Sequence, residues 1–211
     1  MRGLRIADCG LWIAGRGVED CGVADCGSVR LQPDRDLMDN TPCDTAGPGV
    51  PMANDNALRE QLVKFLDWRD AHVGFDEAVK GIPPRLRGVV PHGWEYSAWQ
   101  LVEHLRIAQT DILEFCVNPK YKEKKWPDDY WPKSPAPRGA AAWSASVAVY
   151  RRDRKAFQRL AANPKIDLFA TIPHGTGQTF LREILLVVDH ASYHVGQIVT
   201  LRRQLGIWKT E

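Results

Sequence analysis

His190 and His194 stand four residues apart in TFLREILLVVDHASYHVGQIVTLRRQLGIW, residues 179–208. The stretch reads as one long helix. On a helix of 3.6 residues per turn, positions i and i+4 lie one above the other on the same face. Leu186, Val187, Ala191, Ile198 and Leu201 share or border that face, so both imidazoles point towards the core. Two imidazoles so placed can ligate one metal ion. A third ligand is needed, and the candidate is His104 in SAWQLVEHLRIAQTDILEF, residues 97–115. It shares an inner face with Leu101, Leu105, Ala108, Ile112 and Phe115. Three nitrogen ligands leave a coordination position for water or substrate, the pattern of a catalytic rather than a structural zinc-like site. The plain alternative is that each histidine is a satisfied core residue. For a lone histidine that reading wins. A pair at i and i+4, with a third on another apolar face, favours metal.

Other polar residues surround these three. Tyr193 and Gln197 lie close to the ligand face and can orient ligands or substrate; Gln197 reads equally well as a helix–helix hydrogen-bonding residue. Asp111, seven residues beyond His104, can receive the free N–H of a ligand histidine, although a solvated helix position is the plainer reading. Glu103 points about 100° away from His104 and reads as a supporting or surface residue. His72 reads as a core or boundary histidine with one hydrogen-bond partner, or, more sharply, as a residue facing the metal pocket. Cys116 reads as a buried small hydrophobe at a helix end, with a catalytic thiol as the outside reading.

Four helices must position these groups. The first is expected over about Asp55 to Lys80, capped by Asn54, Asp55 or Asn56 and stopped by Gly81 and Pro83-Pro84. Its apolar stripe is Leu58, Leu62, Phe65, Leu66, Phe75 and Val79, with His72 on the same stripe. The second runs from Ala98 to about Val117 behind an N-cap at Ser97, and Asn118-Pro119 ends it. The third spans about Ala140 to Ala162, with Trp143, Val147, Tyr150, Phe157 and Leu160 buried and Asp153 with the neighbouring arginines exposed. The fourth is the histidine helix, capped by Thr179 and closed by Gly206. Between the second and third lies PKYKEKKWPDDYWPKSPAPRG, residues 119–139. A loop this long in a compact domain is functional or disordered. Trp126, Tyr130 and Trp131 argue that it packs down as one wall of a pocket. The crossover over residues 167–179 is turn-rich, with His174 exposed. No strand is convincing, so the chain reads as an all-α bundle, an architecture whose core hosts metal sites.

Composition bounds the rest. A chain of 211 residues, 44% hydrophobic and 26% charged, accommodates one domain with a real core and a tail. A net charge of +2 gives no electrostatic case for nucleic-acid binding, and no helix carries a basic stripe with interleaved aromatics. No apolar run approaches the ~20 residues of a spanning helix, and the N-terminus lacks a secretory pattern. A cytoplasmic location follows as the default expectation. Cys9, Cys21, Cys26 and Cys43 fall in the N-terminal segment without a Cys-x-x-Cys pair, so neither a disulfide framework nor a zinc ribbon is indicated. Residues 1–51 carry a degenerate repeat, IADCG, VEDCG and VADCG, too short for a solenoid unit. The segment reads as low-complexity and disordered. Met52 directly precedes the first helix, which leads to the expectation that translation starts there, with 52–211 as the folded domain.

The phrases SAWQLVEHLRIAQTDILEF, NPKYKEKKWPDDYWP and TFLREILLVVDHASYHVGQIVTLRRQLGIW resemble the DinB-like superfamily, also called the YfiT-like metal-dependent hydrolases. Glu103-His104-Leu105 and the His-x-x-x-His-x-Gly-Gln run from His190 to Gln197 look like its motifs. The likeness covers about Asn56 to Trp208; the N-terminal segment has no counterpart. The resemblance implies an up-down-down-up four-helix bundle, often a homodimer, acting on a small molecule. It also implies a divalent metal, commonly zinc or nickel, on His104, His190 and His194. Two activities come with the family: transfer or isomerisation dependent on a low-molecular-weight thiol such as bacillithiol or mycothiol, and hydrolysis. Ala191 follows His190 where the zincin pattern places its general base, which disfavours a zincin-like protease. A metal-bound thiol needs no adjacent base, because the metal lowers its pKa. A metal-bound hydroxide is the second mechanism, since three histidines can bring water to a pKa of about 7. A different class stays open, a metal-binding or stress-related interaction protein without turnover. An open coordination position beside a pocket walled by the Trp126–Trp131 loop marks the enzyme; a closed site marks the binding protein.

Overall fold

The computed structural model describes residues 53–208. The expectations for residues 1–51, including the four cysteines, the repeat and the start at Met52, lie outside them. Among the described residues the chain is helical: α1 (Ala53–Phe65), α2 (Phe75–Val79), α3 (Ala98–Val117), α4 (Ala140–Ala162) and α5 (Phe180–Gln204), with a short 3-10 turn at Pro84–Leu86. An isolated bridge between Thr171 and Thr179 is the one β-type pairing described. The helices α3, α4 and α5 pack on one another, α1 lies against α4, and α2 against α5.

The first expected helix is broken in two. Asp67 N–H and Trp68 N–H bond back to Lys64 and Phe65 carbonyls, which tightens the last turn of α1 and turns the chain aside. It restarts as α2 behind Gly74. Arg154 on α4 bridges the break, in ion pairs with Asp67 at 2.9 Å and Asp76 at 2.7 Å on either side of it. On one continuous helix those aspartates, nine residues apart, would face opposite ways. The break also lets Phe75 stack on Tyr150 with ring centroids 3.9 Å apart. Phe65, read as part of the apolar stripe, is 40% exposed instead.

α3 begins with a full capping box. Ser97 Oγ accepts from Gln100 N–H and Gln100 Oε1 accepts from Ser97 N–H, satisfying two orphan donors of the first turn. Thr179 caps α5 by accepting from Arg182 N–H. Gly206, at φ 67°, closes it. A left-handed residue there lets Ile207 N–H reach back to Arg202 C=O, which glycine allows without Cβ strain.

Two apolar clusters fill the interior. One joins Phe75 and Val79 to Trp99, Leu101, Trp143, Tyr150, Ile198 and Leu201. The other joins Leu62 and Leu66 to Ile112, Phe157, Leu168, Ile172, Ile184 and Val187. Two buried arginines tie helix ends together. Arg59 donates to the carbonyls of Ala161, Asn163 and Ile166 at the end of α4. Arg202 donates to the Glu77 and Ala78 carbonyls at the end of α2 and stacks on Trp208. Asp153 is not on an exposed face. It is 2% exposed and accepts from Thr110 Oγ1 at 2.6 Å and Arg152 Nε at 2.8 Å, because α3 packs across that side of α4 and a buried carboxylate must be paired.

No unbroken apolar run is longer in the structure, but α5, with 25 residues, is by length and composition the one described helix apolar enough to cross a membrane; half of its most apolar window is buried inside the fold. A core helix packed against three others acquires that composition from its neighbours.

Candidate metal centre

The chain places the three histidines between the two clusters. His104 lies on α3 between Leu101 and Ile112, and His190 and His194 lie on α5 between Val187 and Ile198. His104 and His194 are each 1% exposed, and His190 is partly buried. One ligand atom from each falls within 4.8 Å of the other two. Among the described residues no other group of three or more His, Cys, Asp or Glu comes together this way. The three can hold a metal ion.

The hydrogen bonds fix which nitrogens face inward. His104 Nδ1 lies 2.9 Å from the Tyr130 carbonyl. A carbonyl only accepts, so Nδ1 carries the proton and Nε2 keeps its lone pair. His194 Nδ1 lies 2.7 Å from Gln197 Oε1. The Gln197 amide is oriented by its Nε2 donating to the Tyr193 hydroxyl at 3.2 Å, so here too Nδ1 donates. Metal-ligating histidines are held in this way, by the ring N–H that does not face the ion. Within the protein alone, His190 Nε2–H donates to His104 Nε2 across 3.0 Å. His194 Nε2 is buried and has no hydrogen-bond partner. A buried lone pair left unmatched costs about 1–3 kcal/mol. An ion bound at about 2.0–2.1 Å by tetrahedral nitrogens sets those nitrogens roughly 3.3 Å apart, close to the His104–His190 separation. The donor set fits a borderline-soft divalent ion.

Electrostatics agree with that use. Burial, then the neighbouring His194, pushes His104 down to about 4, against the opposing hydrogen bond to Tyr130. Burial takes His194 to about 4 against its bond to Gln197. Burial, with His194 and His104 beside it, takes His190 to about 2. All three are therefore neutral at pH 7, the form that ligates.

The 119–139 loop forms the wall over this centre. Trp131 stacks flat on His104, with centroids 3.9 Å apart and an interplanar angle of 0°, and Tyr96 stacks on Trp131 from the other side at 4.0 Å. Trp126 lies 6.5 Å from His104 by centroid and is 38% exposed. Tyr193 packs edge-on to His194 at 4.9 Å. The loop is pinned at its far end by Ser97 Oγ donating to the Pro135 carbonyl.

The candidate residues divide clearly. Gln197 and Tyr193 join the site, Gln197 as direct support of His194. Asp111 is not solvated. It is 4% exposed and accepts from the Tyr130 and Tyr121 hydroxyls rather than from a histidine. His72 is neither a core residue nor part of the cluster. It sits in the exposed stretch that replaced the expected helix, with Nδ1 bonded to the Val73 carbonyl. Glu103 pairs with Arg106. His174 is exposed and bonds the Phe115 carbonyl. Cys116 is a free, buried thiol, raised by burial and by Glu183. Reading the residues alone missed Tyr130 and Trp131 as direct contacts of His104. The one available signal was the aromatic cluster WPDDYW in an otherwise polar loop.

Two cavities flank the centre without reaching the histidines. One of 190 Å³ is bounded by Trp68, Phe75, Gln109, Tyr150, Ala191 and Val195. The other, 560 Å³, lies between α3, α4 and the loop at Trp99, Arg106, Lys133, Arg138 and Ser146. No family model, no curated protein and no solved structure matches the chain.

Proposed function

We propose that this chain is a metal-dependent enzyme of the DinB-like type, holding one divalent ion, zinc or nickel, on His104, His190 and His194. The observation that carries the reading is the buried, unpartnered Nε2 of His194, turned inward because its Nδ1 is committed to Gln197. The apolar clusters support the family's up-down-down-up order. One joins the first halves of α3 and α4 to the second half of α5; the other joins their second halves to its first half. That relation is the one expected where α3 and α4 run the same way and α5 runs against both. A homodimer and a cytoplasmic location belong to the same proposal.

The favoured reaction is S-transfer from a low-molecular-weight thiol to a small molecule. When bound, the ion lowers the pKa of a coordinated thiol or water so that it acts as a nucleophile near neutral pH. The three histidines are uncharged donors and leave the ion its full charge. Trp131 and Tyr130 shield His104 from water, and Trp126 and Tyr193 present partly exposed aromatic surface at the approach. Among the described residues no carboxylate joins the cluster, and Asp111 is occupied by two tyrosines. A hydrolase relying on an adjacent carboxylate base therefore has less support than thiol chemistry, while a metal-bound hydroxide remains the second reading. The 1% exposure of two of the ligands favours the third, a closed metal-binding protein without turnover.

Metal analysis of the full chain, beside the variant His104→Ala/His190→Ala/His194→Ala, tests this. About one divalent ion per chain, absent from a variant of unchanged helicity, is expected. Wild-type protein that carries none and takes up neither zinc nor nickel refutes the metal centre. Turnover of thiol and electrophile, but not of an activated ester, selects the transferase; the converse selects the hydrolase.

A further inference from the structure

We infer that Asp111 is a positioning residue for the metal centre, acting on His104 through Tyr130. The inference rests on the metal-centre reading. Asp111 lies seven residues beyond His104 on α3, about 10 Å along the axis, beyond direct contact. Tyr130 spans the gap. Its hydroxyl donates to Asp111 Oδ2 at 2.5 Å, and its own carbonyl accepts from His104 Nδ1 at 2.9 Å. The residue is thus held at both ends, its phenol by Asp111 and its carbonyl by His104, so Tyr130 cannot move away from His104 as a whole without breaking the phenol–carboxylate bond. Trp131, the next residue, stacks flat on the same imidazole, so the register that fixes the carbonyl also fixes the ring's cover.

Asp111 holds a second point of the loop. Tyr121 donates to the same oxygen at 3.0 Å. Tyr121 and Tyr130 lie on either side of Trp126 in sequence, so one carboxylate ties down both arms of the segment that walls the site. A carboxylate is costly to bury, and packing a loop needs only apolar contact. What the carboxylate adds is direction: a path of two hydrogen bonds joined by the covalent frame of Tyr130, from Asp111 to the outer nitrogen of His104. That path holds His104 in the tautomer whose Nε2 lone pair faces His190 and His194. His194 is held independently by Gln197, which makes it an internal control.

The test uses Asp111→Asn and Tyr130→Phe in the full chain, with three readouts: histidine tautomers by nitrogen NMR without metal, zinc affinity by chelator competition, and the visible spectrum of the cobalt-substituted protein. In the wild type, His104 is expected protonated at Nδ1. In both variants it is expected to populate both tautomers, with zinc affinity down 10- to 100-fold and an altered cobalt spectrum, while His194 keeps its tautomer. A residue serving the fold alone would lower the urea midpoint and leave the tautomer and the affinity of the folded protein unchanged. Folded variants with wild-type His104 tautomer and zinc affinity within twofold overturn the inference. If Asp111→Asn does not fold, Tyr130→Phe, which removes a single oxygen, decides on the same outcomes. Wild-type protein that takes up neither zinc nor nickel refutes the proposed function, and the His104 tautomers of the two variants then still decide whether Asp111 positions that ring.

Discussion

Lowering the pH from 7 to 5 should strip much of the stability from the metal-free protein. His104 and His194 are held near 4 against an ordinary 6.5, and His190 near 2. At pH 7 these side chains are neutral both folded and unfolded, so they impose no penalty. Below 6.5 the unfolded chain takes up protons at all three while the folded chain does not, and stability falls with pH down to the folded values. Each histidine contributes about 1.4 kcal/mol per pH unit across that window. Between pH 7 and pH 5 the loss is about 2 kcal/mol per histidine, or roughly 6 kcal/mol for three. That is comparable to the whole stability of many domains, about 5–15 kcal/mol. Urea denaturation followed by helical circular dichroism at pH 7, 6 and 5, with a chelator present, measures it. His190→Phe should remove about a third of the pH dependence. Zinc at a thousand times its Kd should add about 4 kcal/mol at pH 7 and progressively less as protons compete. A urea midpoint that is flat between pH 7 and 5, or an unchanged slope in His190→Phe, would refute the picture of three neutral, buried imidazoles.

Three further outcomes are expected. Gln197→Leu frees His194 Nδ1 and should weaken zinc binding 10- to 100-fold in a calorimetric titration, with the helices intact. Arg59→Ala strands the carbonyls of Ala161, Asn163 and Ile166 at the end of α4 and should cost about 2–3 kcal/mol by urea denaturation, leaving zinc affinity unchanged. Cys116, 5% exposed and held in its thiol form by burial, should escape iodoacetamide in the native protein and react in urea, as read by peptide mass mapping; labelling at equal rates in both states would contradict its placement.

Part of the fold was legible because local chemistry and tertiary packing agree. Ser97 with Gln100 three residues on, Thr179 before an apolar run, and Gly206 after one mark helix ends by their own hydrogen-bonding and backbone preferences. The limits of α3 and α4 followed from those signals and from Asn-Pro stops. The break after Phe65 was not legible as such: Arg154, from a helix roughly ninety residues later, pairs with Asp67 and Asp76 across it, and no local pattern encodes that pairing. The exposed arginine-rich side assigned to Asp153 failed for the same reason: α3 covers that side, and Thr110 supplies the partner.

The sequence by itself determined which three histidines come together as candidate ligands. Four-residue spacing fixes His190 and His194 on one face through helix geometry alone, and the apolar neighbours of His104 turn it inward. Only the tertiary structure decided how those ligands are held. The proton on His104 is placed by a carbonyl from a loop 26 residues away, and Asp111 reaches the centre through a tyrosine rather than directly. Tautomer, cover and support are properties of contacts between distant segments, and spacing along one helix carries no information about them.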